Sequence, residues 1–346
     1  MTEILTRDAV DVVLADFFES RIRRADPLAA HYALLWRRLA RSSVGGKRLR
    51  PRLLLDTHRA FGAPHPEDAA VAGAAFELLH TALLLHDDVI DRDVSRRGQR
   101  NLPAEFAADA ADAGLTPEAA SSWGDASGIL GGDLLLSATY ALVARVRPVI
   151  RGELTELIDE HLFRAAAGEH DDVAFGLGTA PATSESVLRM MANKTAGYSF
   201  AAPLCAGAVL AEAGERAAAE LEQVGLALGV LYQLRDDLLG VFGDSRTGKS
   251  TISDLRQGKR TLLVAFAEGH PEWTAVRHLW GDPELDEAGA GRLRAALTAA
   301  GAYAAMTELI ETQRQEAVAT IDRTTLPNGL RHELVGLATR LAERAA

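Results

Sequence analysis

The chain has 346 residues, of which 48% are hydrophobic, 25% charged and 5% aromatic, enough apolar material for a large buried core and too evenly mixed for a disordered chain. Its 37 Lys and Arg against 48 Asp and Glu leave a formal net charge of −11, which argues against DNA, RNA or anionic lipid as partners. An anionic small molecule remains compatible where cations cluster locally or a divalent metal mediates. The single cysteine, Cys205, sits in LCAGAVL and cannot form an internal disulfide, so a reducing, cytoplasmic compartment is expected.

The N-terminal stretch MTEILTRDAVDVVLADFF is acidic and amphipathic, with Val10, Val13, Leu14, Phe17 and Phe18 at helical spacing and neither the basic start nor the apolar block of a signal peptide. Segments rich in Ala, Leu, Glu and Arg continue in this way along the chain, strand-like alternation is rare, and an all-α protein of about ten helices is expected. Punctuation falls at 42–46 (SSVGG), 62–66 (GAPHP), 93–128, 176–186 (GLGTAPATSES), 243–258 and 325–329 (LPNGL). The 93–128 stretch combines a charged turn with an Ala- and Asp-rich run containing Pro103 and Pro117. None of these stretches is biased enough for a linker, so residues 1–346 read as one domain. The best apolar run, Tyr198 to Ala211, contains Pro203 and is shorter than the roughly 18–20 residues a bilayer requires, so no transmembrane helix is expected.

In GGKRLRPRL, Gly45 and Gly46 are read as opening a helix whose first turns carry Lys47, Arg48, Arg50 and Arg52. Cations there oppose the helix dipole, and a bound diphosphate would explain them. FELLHTALLLHDDVIDRD, Phe76 to Asp93, reads as an apolar helix ending in acid. At roughly 100° per residue Asp87 and Asp91 share a face, with His80 two turns below on the same side. Two aligned carboxylates repel, which makes sense if a hard cation such as Mg²⁺ neutralises them; a solvated helix end is the competing reading of this motif alone. LYQLRDDLLGVFGD, Leu231 to Asp244, repeats the pattern with Gln233, Asp236 and Asp237. Two acid-bearing helices facing one another across a cavity would hold several Mg²⁺ ions between carboxylates and a phosphate-bearing substrate. Cations follow both motifs, as Arg96 and Arg97 and then Lys249, Lys259 and Arg260. A third cluster, Glu169, His170, Asp171 and Asp172, reads as a rim element or a loop start. Residues 243–250, GDSRTGKS, fit the GxxxxGK[ST] phosphate-loop pattern, but they follow an acid-bearing helical segment instead of a buried strand.

In order and spacing, GGKRLRP (45–51), ELLHTALLLHDDVID (77–91), RRG (96–98), GDLLL (132–136), KT (194–195), YQLRDD (232–237) and GKRT (258–261) resemble the trans-isoprenyl diphosphate synthases, the polyprenyl synthetase family, over about residues 40–265. The resemblance implies an all-α, single-domain helical bundle around a deep central cavity, the isoprenoid synthase fold, usually as a homodimer. It implies condensation of isopentenyl diphosphate with a dimethylallyl, geranyl or farnesyl diphosphate by ionisation, condensation and elimination. It further implies that Asp87 and Asp91 ligate two Mg²⁺ ions and Asp236 a third, supported by Asp88 and Asp237. Arg96, Lys194 and Lys259, with Lys249 beside them, would hold the allylic diphosphate, and Lys47, Arg50, His80 and Arg97 would seat isopentenyl diphosphate. Thr195 and Gln233 would lie beside the reacting carbons.

Gly240 stands where many members carry Asp, a variant that resembles geranylgeranyl diphosphate synthases of actinobacterial type, and QRNLP, Gly168-Glu169 and Ile252 also depart from the family pattern. Chain length in the family is set one or two turns before the first aspartate motif, here at Ala82, Leu83 and Leu79, with Leu78 below. With no aromatic there, a C20 product, geranylgeranyl diphosphate, is expected, with a longer chain of C25 or more, or a farnesyl product, as the alternatives. A silent partner subunit, a terpene cyclase and a P-loop nucleotide enzyme are remote rivals.

Overall fold

The structure, a computed structural model, describes residues 2–96, 98–243 and 252–344. It resolves into two compact units. The first comprises residues 1–156 and 206–213 and contains α1 (Thr2–Ala25), α2 (Ala30–Ser42), α3 (Leu49–Ala60), α4 (Pro66–Ile90), the short hairpin β1 (Ser95–Arg96) and β2 (Gln99–Arg100), α5 (Leu102–Asp112), α6 (Pro117–Val143) and the start of α7 (Pro148–Leu177). The second comprises residues 157–205 and 214–346 and begins with the rest of α7, α8 (Ser184–Met191) and a π-helix (Ala192–Ala201). α9 (Ala202–Leu210) is divided between the units, and α10 (Glu215–Phe242), α11 (Ser253–Gln257), α12 (Leu262–Ala267), α13 (Pro271–Val276), α14 (Glu287–Ala299), α15 (Ala302–Asp322) and α16 (Asn328–Glu343) complete the second. The all-α expectation holds, with more and shorter helices than periodicity alone suggests.

The difference is clearest at 93–128. Pro103 and Pro117 do not break structure there but stand in the first turns of α5 and α6, where a missing N–H costs nothing. The Asn101 side chain accepts from the Ala104 N–H at 3.0 Å and Thr116 from Ala119 at 3.3 Å, capping both helices.

In the first unit α4 is the core helix, burying Ala69, Ala72, Phe76, Leu78, Leu79, Ala82 and Leu85. α4 and α6 are long and apolar enough by length and composition to cross a bilayer, but 72% and 50% of their most apolar windows lie inside the protein. The two helices approach closely because α6 offers glycine at the contact: a Cβ on Gly128 would lie 2.6 Å from Val89 Cγ2, and one on Gly132 would collide with the His86 ring. In the second unit α10 does the same against the π-helix, where a Cβ on Gly225 or Gly229 would strike the backbone of Ala201 or Ala196. α15 and α16 pack on the remaining apolar side of α10.

Two helical glycines therefore respond to a methyl group in opposite ways. Gly229→Ala destabilises the protein by about 2 kcal/mol through overpacking against Ala196. Gly291→Ala, exposed within α14 with nothing within 4 Å of its new methyl, stabilises it by about 0.5–1 kcal/mol. Urea unfolding of both variants checks the opposite signs.

Candidate functional site

α4 ends in three carboxylates at the negative pole of its dipole, where acid is disfavoured. Asp87 and Asp91 are half-buried on the same side as His80 and Leu84, one turn apart, and the Asp91 N–H closes the last turn on the Asp87 carbonyl at 2.8 Å. Asp88, next to Asp87 on the helix, is buried, at 3% exposed. The chain then turns through Arg92, in the left-handed region at φ 57°, and the β1–β2 hairpin folds Arg96 back onto α4. Arg96 donates from Nε to Asp88 Oδ1 at 2.9 Å and from Nη2 to Asp88 Oδ1 at 2.5 Å and Asp87 Oδ2 at 3.3 Å. Burial pushes the Asp88 carboxyl up to about 6 against the pull of Arg96. Burial works to lower the Arg96 value, but Asp88 and Asp87 hold it above its ordinary range. Both partners are thus charged at neutral pH.

The glycine-rich basic segment differs from its sequence reading. Gly45 and Gly46 lie in a loop at φ 86° and 81°, α3 starts only at Leu49, and Lys47 and Arg48 precede the helix instead of crowding its first turn. Lys47 is exposed, Arg50 half-buried, and Arg48 turns inward. Leu79 and Ala82 are fully buried in α4, while Leu83 is half-exposed.

In the second unit Lys194 and Thr195 lie in the π-helix, a rare conformation that recurs at functional positions. Lys194 Nζ is held by Asp172 Oδ2 at 2.6 Å and Glu169 Oε2 at 2.9 Å. Both carboxylates belong to the third acidic cluster, which lies inside α7 and is not a loop start. A Cβ on Gly168 would collide with the Lys194 backbone, so the glycine before Glu169 sets how closely α7 approaches it. On α10, Gln233 donates to Asp237 Oδ1 at 2.7 Å, and Asp236 Oδ1 meets Arg344 Nη1 at 3.2 Å. Arg344 also stacks over Tyr232 at 5.4 Å and its carbonyl accepts from Arg235 Nε at 2.8 Å. Gly240 is buried in α10. Lys259 follows Gly258, which caps α11 at φ 66° against the backbone of Gly281, too close for a side chain. Arg97 and Lys249 lie outside the described residues, as does the GDSRTGKS pattern beyond Gly243.

The sequence reading left the roles of Glu169 and Asp172 open and did not find Arg344. It also missed a pair beneath the π-helix of which the histidine is buried and the glutamate half-buried. His161, 2% exposed, contacts Glu222 Oε2 through Nε2 at 3.1 Å, and its ring underlies Gly197. Burial works to raise the Glu222 carboxyl, but His161 and Arg164 hold it below its ordinary 4.5. Burial, with Glu222 nearby, pushes the Cys205 thiol well up, which makes it an inert packing group.

A carboxylate depressed on folding stabilises above its unfolded value, and that contribution is lost as pH falls below about 4.5. Glu222→Gln should therefore be less stable than the parent at pH 6–7, with the gap narrowing below pH 4.5. Urea unfolding over a pH series measures it.

Residues 35–288 match the polyprenyl synthetase family. The geranylfarnesyl diphosphate synthase of Aeropyrum pernix is 35% identical over 231 residues, 65% of this chain and 67% of that protein. The (2E,6E)-farnesyl diphosphate synthase of Mycobacterium tuberculosis is 34% identical over 65% of this chain and 57% of its own, and the geranylgeranyl diphosphate synthase of Saccharolobus solfataricus 30% over 64% and 62%. The alignments thus span about three fifths to two thirds of the relatives' length. The solved geranylgeranyl pyrophosphate synthase of Corynebacterium glutamicum, complexed with isoprenyl diphosphate and magnesium, superposes with a TM-score of 0.90 at 25% identity, covering 98% of each chain. With its ordered motifs, its all-α fold and a match over most of its length, the chain belongs to the polyprenyl synthetase family.

Proposed function

We propose that this protein is a Mg²⁺-dependent trans-prenyl diphosphate synthase that adds isopentenyl diphosphate head to tail to an allylic diphosphate, with geranylgeranyl diphosphate as product. The observation that carries the reading is the end of α4, where Asp87 and Asp91 share a half-exposed face above His80 while Arg96 lies against Asp87 and Asp88. The curated relatives, named as synthases of farnesyl, geranylgeranyl and geranylfarnesyl diphosphate, support it. The family match over 35–288 draws on residues of both units, which supports reading them as a single polyprenyl synthetase domain.

The donor chemistry fits magnesium. Among the described residues no three His, Cys, Asp or Glu gather into a ready metal cage. Mg²⁺ is commonly bound by one or two carboxylates together with substrate phosphates and water, the kind of donor set Asp87 and Asp91 provide. In this reading Asp87 and Asp91 serve two ions and Asp236 a third, with Asp237 held in place by Gln233. When bound, the ions supply Lewis-acid stabilisation of the departing diphosphate.

The protein's own groups do the rest. Asp88 aims Arg96, and Arg96, Lys194 and Lys259, with Lys249, hold the allylic diphosphate as negative charge grows on it. Glu169 and Asp172 hold the Lys194 Nζ in place by ion pairing. Lys47, Arg50, His80 and Arg97 seat isopentenyl diphosphate. The allylic C–O bond breaks to a carbocation with Thr195 and Gln233 alongside, the isopentenyl double bond attacks it, and the released diphosphate accepts the proton. No nucleophilic side chain is required. Ala82 and Leu83, above Leu79, limit chain length, and the small Ala82 leaves room for a C20 chain. The exposed Trp123 and Leu130, two turns apart on one face of α6, support a homodimer through that face, and the protein acts in the cytoplasm.

Incubation with Mg²⁺, isopentenyl diphosphate and C5, C10 or C15 allylic primers should give chains that grow in five-carbon steps and end at C20 by mass spectrometry, while a C20 primer should stay unextended. Asp87→Ala or EDTA should lower the rate at least 10³-fold, and Ala82→Phe should shorten the product. No elongation by the folded protein from any primer would sink the assignment, and unchanged chain lengths in Ala82→Phe would remove the chain-length role.

A further inference from the structure

Arg48 stands among the cations of the GGKRLRP segment, yet its side chain does not lie with them. It is 11% exposed and reaches into the first unit, where Nη1 donates to Glu77 Oε2 at 2.6 Å and to the Ser43 carbonyl at 2.9 Å, and Nη2 to Asp11 Oδ1 at 2.7 Å. The Glu77 side chain is 9% exposed. Arg48 is also the N-cap of α3: its carbonyl accepts the Arg52 N–H at 3.0 Å, and its backbone takes the left-handed conformation at φ 49°, ψ 43°. Residues other than Gly, Asn and Asp rarely adopt that region, and they do so where surrounding contacts over-determine it. One side chain thus ties α1 through Asp11, the end of α2 through Ser43, the start of α3 through its own backbone, and α4 through Glu77.

The position of this tie matters. Lys47 is next in sequence and Arg50 two residues on, while Glu77 lies on α4 three residues before His80. A loop carrying two glycines at positive φ does not hold Lys47 in place by itself. An ion pair with both partners buried fixes geometry strongly, because breaking it leaves an uncompensated charge inside. We propose that Arg48 and Glu77 are positioning residues that hold Lys47 and Arg50 in register with His80, so that the three cationic or polar groups meet one diphosphate, that of isopentenyl diphosphate. This inference rests on the function proposed above. It removes Arg48 from the substrate-binding cations and assigns Glu77, an acid in an apolar helix, a role in recognising an anion.

The test is steady-state kinetics of the full chain with Mg²⁺, varying each substrate at saturation of the other. Glu77→Gln and Arg48→Gly, the latter suited to the left-handed backbone, should each raise KM for isopentenyl diphosphate at least tenfold. KM for the allylic diphosphate should stay within threefold and kcat within fivefold. Arg48→Lys, which keeps the charge, should fall between parent and Arg48→Gly. Loss of thermal stability or kcat with both KM values unchanged would overturn the inference and leave a purely structural pair. Should Glu77→Gln not fold, Arg48→Gly decides alone, since its backbone is relieved and not strained. An unmodified chain that elongates no primer would instead count against the proposed function, so the two failures are distinguishable.

Discussion

Carboxylates crowded at the end of an apolar helix are the constraint around which the first unit is arranged. Asp87, Asp88 and Asp91 repel one another and sit at the wrong pole of the α4 dipole. Such an end persists only if counter-charge is supplied nearby. Asp88, nearly buried, receives it from Arg96 in two hydrogen bonds, and the hairpin that returns Arg96 is short because Gly98, at φ 74°, turns it tightly. Arg96 reaches Asp87 only at 3.3 Å through one nitrogen, and Asp91 is half-exposed. The internal cation thus neutralises the buried acid most strongly, which is the division of labour expected where the half-exposed acids meet a divalent ion.

In the second unit backbone proximity plays the corresponding part. α7 and α10 place glycines where they meet the π-helix: Gly168 beside Lys194, Gly225 beside Ala201 and Gly229 beside Ala196. A π-helix is wider than an α-helix and has poorer internal contacts, so neighbours must pack closely to hold it. Gly197 completes the arrangement over the buried His161, which pairs with the half-buried Glu222. Packing and electrostatics converge on Lys194, whose backbone is fixed by glycine contacts and whose ammonium is fixed by Glu169 and Asp172.

Much of this was legible in the sequence because it is periodic or local. The spacing of His80, Asp87 and Asp91 fixed their common face, and the all-α class followed from Ala- and Leu-rich helical repeats. The features that escaped were non-local or dihedral. No spacing rule joins Asp172 to Lys194, Glu77 to Arg48 or Asp236 to Arg344, because each pair is made by tertiary packing across at least 22 residues. The start of α3 was misplaced because Arg48 takes a backbone region for which its residue type gives no signal. Pro103 and Pro117 read as breakers when they are helix starts, a distinction that depends on the Asn101 and Thr116 caps one or two residues earlier.

The phosphate-loop pattern at 243–250 shows why local letters need their context. Such a loop works when a strand delivers it and a helix of several turns receives the phosphates on its first N–H groups. Here Gly243 is the C-cap of a 28-residue helix, its N–H closing on the Leu239 carbonyl at 2.8 Å. The next described helix, α11, has five residues, too few for an appreciable dipole. Neither described flank is thus the strand or the multi-turn helix that such a loop requires. Lys259 directly follows the left-handed Gly258, which packs against Gly281. The same glycine-and-cation pairing recurs at Gly46-Lys47, where the turn is likewise made by positive φ. In both places glycine at positive φ makes the turn and a lysine follows it directly.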